Sequence, residues 1–167
     1  MFLLGRGLEN SRTALAKTIW IFAAAFALTA GITDFRYRKI PNWLTYPAIP
    51  IAILLHWIIA GRHAALLSLG GAAVGLGILL PFVLLGGLGG GDWKLVGALG
   101  AFFEPRRLIP VLIVTLMISG LMALASLLWK KGVKQASRNS GSEKVPFGIA
   151  AAIATLLYVA AQPWLAF

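Results

Sequence analysis

The stretch AALLSLGGAAVGLGILLPFVLL, residues 64–85, contains no charged residue. A helix that crosses a bilayer needs about 20 mostly apolar residues, which this stretch supplies. Between this stretch and the next long apolar run, residues 86–103 are rich in glycine and are interrupted by Asp92 and Lys94. We interpret residues 86–103 as one further, imperfect span. Four other runs are of the same apolar kind: 18–33, 43–60, 108–129 and 145–167.

The composition is that of a membrane protein. Hydrophobic residues make up 59% of the 167 residues and charged residues 12%, whereas soluble domains carry about 25% charged residues. The net charge of +10 does not indicate a nucleic-acid partner, because the basic residues lie between apolar runs, as in the cytoplasmic loops of membrane proteins. Without cysteine the chain has no disulfide, thiolate metal site or cysteine nucleophile. His56 and His63 lack partners at metal-ligand spacing, so we expect no metal and no cofactor.

We therefore predict an all-α membrane protein with a single domain over residues 1–167 and a bundle of about six transmembrane helices. The first run resembles a signal peptide, but apolar segments continue to the last residue, which is unusual for a secreted protein. Loop 130–144 is basic and polar and has no apolar periodicity. We expect it to be a flexible cytoplasmic connector near anionic lipid headgroups.

Six spans would place the loops alternately on the two sides of the membrane. Loops 34–42, 86–94 and 130–144 share one side and carry nine basic residues. The termini and loops 61–63 and 104–107 share the other side and carry six. Cytoplasmic loops are enriched in Lys and Arg, so we predict a multi-pass protein of the bacterial inner membrane with the first group of loops in the cytoplasm.

Asp34 and Asp92 are the only aspartates, and each lies at the membrane end of an apolar segment. Ionisable groups at such positions are costly and usually face a bundle interior or an aqueous cavity. The alternation of loops places both aspartates on one side. Two close carboxylates can share a proton, so that one activates a water while the other protonates a carbonyl oxygen, as in aspartic proteolysis. For Asp92, a capping role after a flexible loop is an equally good interpretation.

Several neighbouring residues are candidates for supporting roles. Gly89 and Gly91 allow positive φ angles and a close approach of backbones. Lys94 is either an interfacial anchor or an electrostatic partner of Asp92. Five more residues open predicted helices, where they are more often structural than catalytic on local grounds, and these are Pro41, Asn42, Pro146, Phe147 and Gly148.

Three motifs, in this order, resemble those of the type IV prepilin peptidases: DFRYRKIPNWLT at 34–45, GGGDWKL at 89–95 and KVPFG at 144–148. The second is similar to the GxGD signature of that family. The resemblance implies a six-span aspartic endopeptidase that removes the short basic leader, the class III signal peptide, from prepilins or pseudopilins within the membrane. It also implies that Asp34 and Asp92 are the catalytic pair at the cytoplasmic face, with Arg36 among the supporting residues.

Larger members of that family carry a cytoplasmic domain with paired cysteines and also methylate the mature pilin. This chain has no cysteine and no such insertion. It therefore resembles the compact members associated with Flp/Tad pili, and methyltransferase activity is not expected.

Other functions stay open from the sequence. A proton- or cation-coupled transporter also uses paired intramembrane carboxylates, although no inverted repeat is recognisable. A scaffold or insertion factor would tolerate neutral residues at both aspartates. A related GxGD peptidase could act on other membrane proteins, but the Ile-Pro-Asn ending of the first motif favours the prepilin branch.

Overall fold

Four helices form the structure, a computed structural model that describes the backbone of residues 2–86, 88–132 and 147–165 and the side chains of residues 17–86, 88–125 and 147–161. They are α1 (Phe2–Tyr37), α2 (Asn42–Leu84), α3 (Gly90–Gly132) and α4 (Phe147–Leu165). The predicted all-helical membrane-type architecture is confirmed. Three stretches in the described ranges are long and apolar enough to cross a membrane: Lys17–Tyr37, Asn42–Leu84 and Gly90–Ala125.

The helices are fewer and longer than predicted. The described ranges contain four helices and not about six, because the loops predicted at 61–63 and 104–107 are reduced to single non-helical residues within α2 and α3. The loops between helices are also shorter, since α1 extends to Tyr37 and α3 begins at Gly90. Helix α3 runs to Gly132, and the rest of the predicted loop 130–144, together with Pro146, lies outside the described residues.

Helix α2 folds back on itself at Gly61, where φ is 78° and ψ is −171°. The contacts of two adjacent residues show this. The indole Nε1 of Trp93 donates to the carbonyl of Leu76 at 2.7 Å, and Nζ of Lys94 donates to Oδ1 of Asn42 at 2.9 Å. On a straight helix Leu76 and Asn42 would be about 50 Å apart. Helix α2 is therefore a hairpin of two helical arms, 42–60 and 62–84.

Helix α3 folds back in the same way at Glu104, where φ is 60° and ψ is 166°. The side chain of Leu108 comes within 3.1 Å of the point where a Cβ on Gly100 would be, although these residues would be about 12 Å apart along a straight helix. Glu104 precedes Pro105, and a residue before proline is disfavoured in the helical conformation. The break therefore falls where the sequence favours it.

The two hairpins contact each other through residues without bulky side chains. A Cβ added to Gly71 would overlap the carbonyl oxygen of Gly100, and a Cβ on Gly75 would be 2.7 Å from the carbonyl oxygen of Val96. Small residues allow membrane helices to approach this closely. The hydroxyl of Ser68 donates across the interface to the carbonyl of Ala101 at 2.7 Å. This close contact fixes the position of the start of α3 relative to α2.

Helix α1 packs against α4 along one face. The buried positions of α1 recur every three or four residues, which is the helical period. Large apolar side chains on other faces of the helices are exposed, including Ile21, Ile58, Leu66, Phe82 and Met117, as expected for surfaces in contact with lipid. The buried positions of α1 are Ile19, Ala23, Phe26, Ala27, Ala30, Gly31 and Asp34.

Candidate active site

Asp34 is the last member of the buried face of α1, and only 6% of its surface is exposed. Its Oδ2 accepts a hydrogen bond of 2.7 Å from the backbone N–H of Gly148. The N–H of Ile149 also interacts favourably with the same carboxyl group. These amides lie in the first turn of α4, where N–H groups have no partner within the helix and the helix dipole is positive. The N-terminus of α4 therefore holds the Asp34 carboxylate.

This contact depends on the absence of a side chain at position 148. A Cβ built on Gly148 would lie 2.7 Å from Cβ of Asp34 and 2.9 Å from its Oδ2. One turn earlier on α1, a Cβ on Gly31 would lie 2.8 Å from Cβ of Ala152. Glycines on both helices thus bring the end of α1 and the start of α4 close enough for the hydrogen bond.

Helix α1 ends next to Asp34 because Arg38 adopts a left-handed φ of 50°. The N–H of Arg38 still bonds to the carbonyl of Asp34 at 2.8 Å, and its guanidinium attracts the Asp34 carboxylate electrostatically. The sequence analysis selected Arg36 and did not select Arg38; both residues are exposed. The spacing contained a clue, because Arg38 follows Asp34 by four residues, the distance at which side chains on a helix are neighbours.

Asp92 lies in the first turn of α3 and is half-buried. The helix starts at Gly90, and its first bond of the i to i−4 type runs from the N–H of Trp93 to the carbonyl of Gly89 at 3.1 Å. Asp92 is therefore the third residue of the helix, and its Oδ2 reaches back towards Gly89 before the first turn. Its carboxylate lies at the positive end of the α3 dipole, a favourable place for a negative charge.

The glycines of the second motif allow close packing, but they do not supply positive φ angles. A Cβ on Gly91 would lie 3.4 Å from Cβ of Ile40, in the first motif, and a Cβ on Gly89 would lie 2.9 Å from Oδ2 of Asp92. The expectation of positive φ at Gly89 or Gly91 is wrong. Among the described residues of this turn, Gly86 has a left-handed φ of 74°, shortly after the end of α2.

Lys94 joins the first and second motifs. Its Nζ donates to Oδ1 of Asn42 at 2.9 Å and to the hydroxyl of Tyr46 at 3.2 Å, and it lies 4.8 Å from the centre of the Tyr46 ring. Asn42, selected as a residue that opens a helix, thus also makes a side-chain contact with the second motif. Tyr46 was missed, although it follows Asn42 by one helical turn on α2.

The structure brings residues of all three motifs together at one end of the bundle. Pro41 is the N-cap of α2, with φ of −71° and ψ of 141°, and it is not in the first helical turn as predicted. Phe147 is buried at the start of α4. Among the residues whose side chains are described, no three His, Cys, Asp or Glu side chains lie close enough to hold a metal ion.

The long apolar helices define a helical membrane-type protein, and the residues of the three motifs lie together at one end of its bundle. A sequence profile of the type IV leader peptidase family matches residues 21–126. The chain belongs to this family, and its membership implies peptidase activity. This result confirms the resemblance found from the three motifs, and the chain fits a compact member. The matched range includes Asp34 and Asp92 but not the start of α4. No curated protein and no solved structure matches the chain significantly.

Proposed function

We propose that the protein is an aspartic endopeptidase that removes the short basic leader of prepilins or pseudopilins, with Asp34 and Asp92 as the catalytic pair. Its cysteine-free, compact chain suggests a role with Flp/Tad pili. The substrate is an apolar helix within the bilayer, whose leader extends into the cytoplasm. The peptidase meets the cleavage site at the cytoplasmic face of the inner membrane.

The contacts between residues of the three motifs support this proposal. Asp34 bonds to Gly148 at 2.7 Å, Lys94 bonds to Asn42 at 2.9 Å, and Gly91 packs against Ile40. These contacts join segments that are far apart in the chain, and they surround the ends of the helices that carry the two aspartates. The carboxyl group of Asp34 is buried at this meeting point.

The chemistry needs one ionised and one protonated carboxyl group. The ionised group takes a proton from a water molecule, whose oxygen attacks the carbonyl carbon of the scissile peptide bond. The protonated group gives its proton to the carbonyl oxygen. When the tetrahedral intermediate collapses, the proton held by the first carboxyl group passes to the nitrogen and the new amine leaves. One hydroxyl of the intermediate returns its proton to the second carboxyl group as the carboxylic acid product forms. Protons are conserved over the cycle, and both aspartates return to their starting states.

In the proposed membrane arrangement, each arm of the two hairpins crosses the bilayer once. Together with α1 and α4 this gives six crossings. The arms 42–60 and 62–84 are about 28 Å and 34 Å long, close to the hydrocarbon thickness of about 30 Å. The arm 90–103 is only about 20 Å long. Asp92 at its start then lies below the membrane surface, where a substrate helix ends. The nine basic residues on this side favour a cytoplasmic location.

The transporter interpretation receives no support from the family or from the described contacts. Cleavage of a candidate prepilin from the same genome, co-expressed with the protein and followed by its shift in mobility, tests the peptidase directly. Asp34→Asn and Asp92→Asn should each lower cleavage by about 10²- to 10⁴-fold or more, because each removes one proton-transfer group. Glu9→Gln, which also removes one carboxyl group, serves as the control. Near-normal cleavage by either aspartate variant in purified, folded form would refute the assignment.

A further inference from the structure

A cavity lies at the end of the bundle opposite the aspartates. Its volume is about 450 Å³, within the usual range for small-ligand sites. His56, Glu104 and Arg107 line it together with Trp20 and apolar side chains. Trp20 precedes Asp34 on α1 by about 20 Å of helix, and Glu104 follows Asp92 on α3 by about 18 Å. The cavity is therefore separate from the candidate active site.

His56 and Glu104 face each other in the wall of this cavity. Nδ1 of His56 lies 2.8 Å from the carbonyl oxygen of Ala52. A carbonyl oxygen can only accept, so Nδ1 carries a hydrogen, which leaves Nε2 as an acceptor whenever the ring is neutral. Nε2 lies 3.6 Å from Oε1 of Glu104, which is also an acceptor when ionised. The two side chains are 4% and 23% exposed, so a donor placed between them would satisfy both.

The backbone at Glu104 supports a role for its side chain. Glu104 turns the α3 hairpin with φ of 60° and ψ of 166°, and Gly61 turns the α2 hairpin with φ of 78° and ψ of −171°. This conformation is strained for a residue with a side chain and is free of strain for glycine. The α3 turn thus carries a carboxylate at a position that the α2 turn fills with glycine.

Arg107 supplies a cation at the same cavity. Its guanidinium lies over the Trp20 ring, 5.2 Å from the ring centre, and the residue is exposed. Stacking uses the flat face of the guanidinium, whereas phosphate binds at its N–H edge. The cavity therefore combines a cation that suits phosphate with an acceptor pair that suits an N–H donor, next to the apolar side chains of Ile19 and Phe102.

We propose that this cavity binds a phosphoethanolamine group, and that the source of the group is the headgroup of a phospholipid. The primary ammonium donates to Nε2 of His56 and Oε1 of Glu104, and the phosphate bonds to Arg107. The start of the lipid chains lies along the apolar wall. Arg and Trp are typical of the membrane interface, where headgroups lie. The binding does not depend on the proposed peptidase activity.

A choline headgroup distinguishes this arrangement from general attraction to lipid, because its quaternary nitrogen has no N–H to donate. The test is thermal unfolding of the delipidated protein in detergent, titrated with short-chain phosphatidylethanolamine, with phosphatidylcholine of the same chain length and with soluble phosphoethanolamine. A ligand that binds only the folded protein raises its melting temperature in proportion to occupancy. We expect phosphatidylethanolamine to reach half of its maximal shift in melting temperature at a concentration about tenfold or more below that needed for phosphatidylcholine. This is the ratio of affinities that the loss of one hydrogen bond to a charged group gives.

Variants identify the contacts. Glu104→Gln should abolish the preference for ethanolamine over choline, because its amide can donate to His56 in place of the ligand. Arg107→Gln should weaken the binding of both lipids by a similar factor, since both carry the phosphate. Arg106→Gln, at the exposed neighbouring residue, should change the binding of neither lipid. Equal binding of the two lipids by the parent protein, which needs no variant, would overturn the proposal, as would a preference that survives Glu104→Gln. A shift with soluble phosphoethanolamine at the lipid's concentration would overturn the lipid as the source.

Discussion

The contact between Asp34 and the start of α4 leads to a quantitative prediction for Gly148→Ala. The new methyl group would lie 2.7 Å from Cβ, 3.1 Å from Cγ and 2.9 Å from Oδ2 of Asp34, whereas carbon atoms in contact are about 3.5–4.0 Å apart. An overlap of about 1 Å forces Asp34 away from α4 and breaks the 2.7 Å hydrogen bond from the Gly148 N–H. A hydrogen bond to a charged group contributes about 1.5–3 kcal/mol, which corresponds to a loss of about 10- to 160-fold in rate.

The assay is prepilin cleavage by equal amounts of folded, detergent-purified protein, with the melting temperature measured on the same samples. Gly77→Ala is the matched control, because a Cβ there meets no atom within 4 Å. Gly31→Ala would press on Ala152 and approach the carbonyl of Gly148 between the same two helices, so it should lower both the melting temperature and the activity. Parent-like cleavage by Gly148→Ala would show that α4 does not position the carboxylate.

Three further predictions follow from other contacts. Lys94→Met removes the donor that joins two motifs, so the cleavage rate should fall by about tenfold, from the loss of about 1.5 kcal/mol. Tyr46→Phe keeps the ring under the ammonium and should lower the cleavage rate less. An equal loss of rate in both variants would contradict this role of Lys94. Gly71→Ala should lower the melting temperature, because a Cβ there overlaps backbone atoms at a cost of about 1–3 kcal/mol; an unchanged value would contradict the close hairpin contact. In the cysteine-free chain, Lys39→Cys should resist an impermeant thiol reagent added from the periplasm and Arg62→Cys should react, and the reverse result would invert the topology.

The position of Asp34 at the end of an apolar segment was sufficient to predict that it faces the interior of the bundle, but not to find its partner. In the structure it belongs to the buried face of α1, which repeats every three or four residues from Ile19 onwards. Its donor, Gly148, lies 114 positions further along the chain. No local pattern specifies a contact at that separation, because it depends on how α1 and α4 pack. The third motif indicated that residues 146–148 matter without indicating what they contact.

The two hairpin turns were predicted in position but not in form. Polar residues at 61–63 and 104–107 marked interruptions of the apolar runs, and the breaks fall at Gly61 and Glu104. A run of polar residues suggests an exposed loop of several residues. A reversal at a single residue requires a particular pair of backbone angles, and a sequence specifies these only weakly. Pro105 was the strongest local indication, since it disfavours helical angles at the residue before it.

The hydrogen bond between Asp34 and Gly148 has a consequence for biosynthesis. Ribosomes make the N-terminal segments first, and these begin to fold before the rest of the chain exists. Helix α1 with its aspartate therefore enters the membrane while the amides that will bind it have not yet been translated. The carboxylate acquires its final geometry only when α4 inserts beside α1. In the proposed peptidase, a nascent chain that still lacks α4 is thus inactive towards neighbouring membrane helices, and activity begins with the arrival of the last helix.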